Sequence, residues 1–127
     1  SWAIKDKNIN IYFSGDTGYG DHFKDIGRDF GPFDLVLLDT GQYNSAWKYS
    51  HMFPFESVRA AKDLNSQFFM PIHWAGFTLS KHPWDEPIKK SIEYAEKEGM
   101  RYIAPMIGEV ISNDEFNKNF VEWWNEY

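Results

Sequence analysis

From Asn8 to Ser14 the apolar residues Ile9, Ile11 and Phe13 alternate with Asn10 and Tyr12, the period of a half-buried strand with the isoleucines and Phe13 turned inward. The strand runs into Gly15-Asp16-Thr17-Gly18. Asp34 to Leu38 is a short apolar run without alternation behind the turn signal Gly31-Pro32, which predicts a strand covered on both faces, as in a parallel sheet. Between these strands, His22 to Phe30 predicts a short helix presenting Phe23, Ile26 and Phe30, although Gly27 weakens it by about 1 kcal/mol. Pro54 stands at the first turn of a predicted helix reaching about Leu64, with Phe55, Val58, Ala61 and Leu64 at helical spacing. A strand over Gln67 to Pro71 follows. Pro87 opens another helix carrying Ile88, Ile92 and Ala95 and stopping at Gly99, and Tyr102 to Ala104 is a further short strand. Ser112-x-x-Glu115 has capping-box spacing ahead of Phe116, Phe120, Trp123, Trp124 and Tyr127, which predicts an amphipathic terminal helix.

Strands alternating with helices define an α/β layer, read as a single domain over residues 1–127 with no internal repeat or linker. In such sheets the chemistry gathers on loops leaving the carboxyl ends of the strands. Asp16, Asp39, His51 and His73 fall on such loops. Composition narrows the options. The formal net charge is −6, which argues against nucleic acid as a partner, because phosphate affinity needs clustered Lys and Arg. The chain has 0 Cys, so any metal must be held by His, Asp or Glu, and disulfides and thiolate nucleophiles are excluded. No apolar run approaches the roughly 20 residues of a membrane span, and Ser1 to Asp6 has no signal-peptide character; a cytoplasmic chain is the expectation.

Asp16 lies in a glycine-rich turn, where an aspartate ordinarily hydrogen-bonds nearby amides. His73, in Met70-Pro71-Ile72-His73-Trp74, follows an apolar strand in the same way. Each has an ordinary structural reading alone; together, at matching strand ends, they resemble opposite sides of one cleft. Carboxylate oxygen and imidazole nitrogen suit a divalent metal, yet a catalytic zinc usually takes three protein ligands and leaves a position for water. His22, His51 and His82 are the remaining histidines that could complete the set.

Ile11-Tyr12-Phe13-Ser14-Gly15-Asp16-Thr17-Gly18-Tyr19, Gly31-Pro32-Phe33-Asp34-Leu35, Gly41-Gln42-Tyr43, His51-Met52-x-Pro54, Ile72-His73-Trp74-x-Gly76-Phe77 and Asp85-Glu86-Pro87 occur in that order. This series resembles the metallo-β-lactamase superfamily, and within it the N-acyl-phosphatidylethanolamine-hydrolysing phospholipase D-like branch, from about Ile9 to about Val110. The resemblance implies the C-terminal half of an αβ/βα sandwich, a mixed sheet covered by helices. It implies that Asp16 bridges two metals, most simply zinc, and that His73 is a further metal ligand. His51 matches a histidine near the substrate, a catalytic position from which it could donate to a developing oxyanion, while an equal reading has it packing at a helix entry. Tyr43 and His82 are candidate substrate contacts, although a solvated loop is an ordinary place for His82 and Asp85. His22 reads as a surface helix residue. Asp39 stands where relatives often carry proline, a carboxylate near the cleft mouth without an assigned role.

The family's H-x-H-x-D-H motif is absent from these residues, so the chain reads as a fragment lacking the N-terminal half, inactive alone. The parent is then a metal-dependent hydrolase of a phosphodiester or ester-like bond in a small-molecule or lipid-derived substrate. A sugar-phosphate lactonase shares the same metal site. A different reading makes the chain a non-catalytic α/β module that forms homo-oligomers, or pairs with the missing half, through the sheet face that half would cover. Six Trp, seven Tyr and eleven Phe supply the aromatic surface for such contact. The Trp123-Trp124 pair is better read as core packing than as a membrane anchor, given Glu122 and Glu126 beside it.

Overall fold

A computed structural model describes all residues, Ser1–Tyr127. The elements are β1 (Trp2–Lys5), β2 (Asn10–Phe13), α1 (His22–Phe30), β3 (Phe33–Asp39), α2 (Pro54–Asp63), β4 (Ser66–Ile72), α3 (Glu86–Lys97) and β5 (Arg101–Tyr102). They form one mixed five-stranded sheet in sequential order, with β1 antiparallel to β2 and the remaining neighbours parallel. This is the α/β architecture that the alternation of patterns implied. No helix is long and apolar enough to cross a membrane.

Register sorts the sheet into two faces. Tyr12, Val36, Phe69 and Tyr102 are cross-strand partners in one row, and this row meets the helices. There Tyr12, Val36 and Phe69 join Phe23, Val58, Ala61 and Leu64 in the main core. Ile11, Leu35 and Phe68 form one row on the opposite face, and Phe13, Leu37 and Met70 the next, with Trp2 opposite Phe13 and Ile4 opposite Ile11.

β2 therefore turns over relative to its apolar alternation. Asn10 and Tyr12 are buried, whereas Ile11 is half-buried and Phe13 exposed. Asn10 is satisfied inside because its side-chain amide donates to the carbonyls of Phe30 (2.9 Å) and Pro32 (2.8 Å), while its backbone N–H donates to Asp34 Oδ2 (2.7 Å). Tyr12 fills the core beside Phe23 and Phe33. β1, in a stretch with no clear pattern of its own, extends the sheet through this pairing.

The C-terminal segment also departs from its pattern. Instead of an amphipathic helix, residues after Ser112 form two separate 3-10 turns, Asn113–Glu115 and Trp123–Asn125. The Ser112/Glu115 capping box does form, but it closes a single turn. Asn113, Asn117, Asn119 and Asn125 are poor helix formers, and the apolar side chains find two separate docking places. Phe116 packs on Phe68, centroids 5.4 Å apart, and covers part of the second sheet face with Leu35 and Ile103. Trp123 and Trp124 are buried against Ile88, Ala104 and Trp74, the core role expected of them.

Candidate metal centre

The parallel strands β2, β3 and β4 end at one edge, and their loops meet there. One ligand atom each from Asp16, His51 and His73 lies within 4.8 Å of the others. Asp16 Oδ2 is 3.9 Å from His73 Nε2, and the Asp16 side chain is 66% exposed. The rings of His51 and His73 stack with centroids 5.2 Å apart. Of the residues singled out in the sequence, these three converge. Tyr43 and His82 instead stack on each other, at 4.1 Å. The Tyr43 hydroxyl donates to Glu86, and burial together with this bond pushes the phenol above its usual range. Gln42 holds the same loop, donating to the carbonyl of Phe77 (2.5 Å) and accepting from the N–H groups of Leu79 (2.8 Å) and Ser80 (3.1 Å). His22 is exposed at the start of α1, and Asp85 pairs with Lys89 at the start of α3.

Two glycines allow the loops to approach. A Cβ on Gly41 would sit 1.5 Å from the carbonyl oxygen of His73, so the loop after β3 and the loop after β4 touch backbone to backbone. A Cβ on Gly18 would lie 2.4 Å from the Lys48 carbonyl oxygen, and the Gly18 N–H donates to Tyr49 (3.1 Å), which ties the Asp16 loop to the segment before His51. His73 itself has φ 65°, a left-handed conformation costing a side-chain-bearing residue about 1–2 kcal/mol. Tertiary packing holds it there. The next residue, Trp74, donates from its indole to the Pro71 carbonyl (3.0 Å) and stacks on Trp123 at 5.2 Å. The terminal tryptophans thus brace the residue that follows the candidate ligand.

Asp39, the last residue of β3, lies beneath the site rather than at a cleft mouth. It is fully buried, with Oδ2 2.9 Å from His51 Nδ1. The same oxygen accepts from the Thr17 N–H (3.2 Å), the Asp39 N–H donates to Ser14 Oγ (3.0 Å), and Ser57 Oγ donates to the Asp39 carbonyl (2.6 Å). Burial pushes the carboxyl above its usual range, against the bonds from His51 and Thr17. The available sign was an acid ending an apolar strand; its partner, twelve residues away, is visible only after folding.

A carboxylate oxygen and two imidazole nitrogens are a donor set suited to zinc. Ligand atoms around a tetrahedral ion stand roughly 3.4 Å apart for bonds near 2.1 Å, so the 3.9 Å between Asp16 and His73 needs only a small contraction. Beside His73 lies an open hollow of about 300 Å³ whose lining includes Met70, Trp74, Pro105, Met106 and Ile107.

A sheet with converging Asp and His side chains at its carboxyl edge defines an α/β class with a candidate metal centre. The family model for the beta-lactamase superfamily domain matches residues 1–74, and the chain belongs to that superfamily. An uncharacterized protein of Mycobacterium tuberculosis is 46% identical over 112 residues, 86% of this chain and 30% of that protein. The N-acyl-phosphatidylethanolamine-hydrolyzing phospholipase D 1 of Caenorhabditis elegans is 38% identical over 81 residues, 61% of this chain and 23% of that enzyme. Among solved structures, the metallo-beta-lactamase fold protein YhfI from Bacillus subtilis aligns with TM-score 0.55 at 20% identity, over 72% of this chain and 36% of that one. The chain therefore spans less than a third of the length of the mycobacterial and nematode relatives.

Proposed function

We propose that this chain is the C-terminal portion of a metal-dependent hydrolase acting on a phosphodiester or ester-like bond, with zinc as the metal. The convergence of Asp16, His51 and His73 within 4.8 Å carries the reading. Asp16 and His73 hold the metal; in the chain alone His51 completes a three-ligand set with them, and in the longer protein the H-x-H-x-D-H half of the fold supplies the remaining ligands and leaves His51 to the substrate. When bound, such a metal supplies a water acidified towards a pKa of roughly 7. His73 is kept in ligand geometry by the Gly41 contact and by Trp74, while His51, stacked on His73, borders the reacting group. The apolar hollow beside His73 supports a substrate with an apolar arm, small or lipid-derived, in keeping with the name of the nematode relative. A lactone is the competing substrate.

The test is hydrolysis by the zinc-loaded longer protein of a phosphodiester, a carboxylic ester and a lactone. Phosphodiester or ester turnover that disappears in Asp16→Ala supports the reading. Lactone turnover alone replaces the substrate class, and turnover unchanged in Asp16→Ala contradicts the site.

A second reading rests on the open sheet face. Trp2 is 71% and Ile4 57% exposed there, next to the exposed Phe13. We propose that this face is covered by the N-terminal half of the fold or, in the chain alone, by a second copy. Light scattering at micromolar concentration is expected to give a dimer or higher species for the isolated chain and to shift towards monomer in Trp2→Lys/Ile4→Lys. A strictly monomeric wild type would contradict it.

A further inference from the structure

Asp39 is the one fully buried carboxylate in the chain, and the hydrolase reading gives it no task. Its position is specific. Its Oδ2 accepts the N–H of Thr17, in the loop that carries Asp16, and meets His51 Nδ1, while its backbone N–H and carbonyl are bonded to Ser14 and to Ser57 of α2. One carboxylate thus joins the segments that deliver Asp16 and His51 to the same place. Its other oxygen, Oδ1, is buried without a partner. A buried acid with one oxygen unsatisfied is costly to keep, so an apolar or proline side chain at the end of β3 would be the more stable choice if Asp39 only filled space.

We propose that Asp39 is a positioning residue for His51: its carboxylate accepts the Nδ1 hydrogen of the imidazole and fixes both the plane of the ring and its tautomer. The assignment rests on the hydrolase reading for its catalytic meaning, but its chemistry is contained in this chain. Oδ2 already accepts the Thr17 N–H at 3.2 Å, and an ionised oxygen with several lone-pair sites is the natural receiver of two converging donors. With Nδ1–H committed to Asp39, the neutral ring has only Nε2 left, and Nε2 then carries a lone pair rather than a hydrogen. His51 therefore offers the site an acceptor. It orients or deprotonates a hydroxyl or water beside Asp16 and His73, rather than donating to an oxyanion as its place in the sequence implied. An Asp39 that is itself protonated and donating to Nδ1 would give the opposite tautomer, with hydrogen on Nε2.

Long-range proton–nitrogen correlation NMR on the full 127-residue chain, metal-free and at about pH 9, where imidazoles are neutral, reads the tautomer directly. The His51 ring is assigned by the signals missing in His51→Gln. The expected wild-type result is hydrogen on Nδ1 and a bare Nε2. In Asp39→Asn, whose dispersed amide spectrum reports folding, the Nδ1–H population is expected to fall and the Nε2–H form, which free imidazole side chains prefer, to replace it. Hydrogen on Nε2 in the wild type overturns the proposal whether or not the variant folds, and so does an Nδ1–H population unchanged in a folded Asp39→Asn. Zinc uptake is measured separately. A chain that takes up no zinc yet carries hydrogen on Nδ1 supports the Asp39 assignment while removing the hydrolase reading. A chain that binds zinc with hydrogen on Nε2 overturns the assignment and leaves that reading in place.

Discussion

Gly41→Ala is expected to destabilise the chain by about 3 kcal/mol or more and to disperse the candidate site, although no functional side chain is altered. The added methyl would occupy a point 1.5 Å from the His73 carbonyl oxygen, and the obstacle is backbone, which cannot rotate away as the end of a side chain can. Overpacking a tight contact ordinarily costs 1–3 kcal/mol, and larger values follow when the neighbour cannot yield. The neighbour here is anchored on its far side, because Trp74 is stacked on Trp123 and tied to Pro71. Displacing the loop moves His73 away from Asp16. Urea unfolding followed by tryptophan fluorescence measures the stability, and zinc retention measures the site. A loss below about 1 kcal/mol with zinc retention intact would show that the Gly41 contact does not assemble the centre.

His73→Gly is expected to separate stability from metal binding. His73 occupies a left-handed conformation at φ 65°, where glycine pays no Cβ penalty. Removing the side chain should therefore raise stability by about 1 kcal/mol, within the cost of holding a non-glycine residue there. The side chain is partly exposed, so little packing is lost to offset the gain. Metal retention should be abolished at the same time. A residue conserving strain for its ligand geometry gives this pairing of a more stable fold with a lost site, whereas His73→Ala should lose the metal without the gain. A His73→Gly chain that keeps its zinc, or that is no more stable than His73→Ala, would contradict this role of His73.

Local chemistry written in adjacent residues was readable before the fold was known. α1 occupies His22–Phe30, α2 begins at Pro54, and α3 begins one residue before Pro87, because a proline at a helix start and a short apolar stripe act over a single turn. The strands β3 and β4 follow their apolar runs to within about a residue or two. What failed depended on partners distant in the chain. Asn10 goes inside because the carbonyls of Phe30 and Pro32 wait for its amide, and no period-two count of apolar residues contains that information. The terminal segment carries a helical spacing, yet Phe116 docks on Phe68 while Trp123 and Trp124 are buried around Trp74. A continuous helix would have turned all of them to one place.

The candidate site divides in the same manner. Asp16 and His73 stood out because each ends a recognisable strand within a characteristic motif, and His51 was marked by its place before Pro54; the structure brings the three side chains together. Tyr43 and His82 stood equally close to those motifs, but they pair with each other, and Tyr43 is bonded to Glu86. Asp39 had a position without a role, since its burial and its bond to His51 arise only when β3 is set beside the Asp16 loop. Gly18 and Gly41 were visible only as members of motifs. Their function is to have no side chain where two backbones cross, which is a property of the crossing.

The most direct test of the account is the metal content of the 127-residue chain by mass spectrometry after incubation with zinc and desalting, beside Asp16→Ala. Asp16, His51 and His73 come within 4.8 Å of one another without help from any other chain. The account therefore predicts about one equivalent of zinc retained by the wild type and none by the variant, in keeping with the usual three-ligand minimum for a catalytic zinc. Equal zinc in both proteins, or none in either, would contradict the assignment of this cluster as a metal centre.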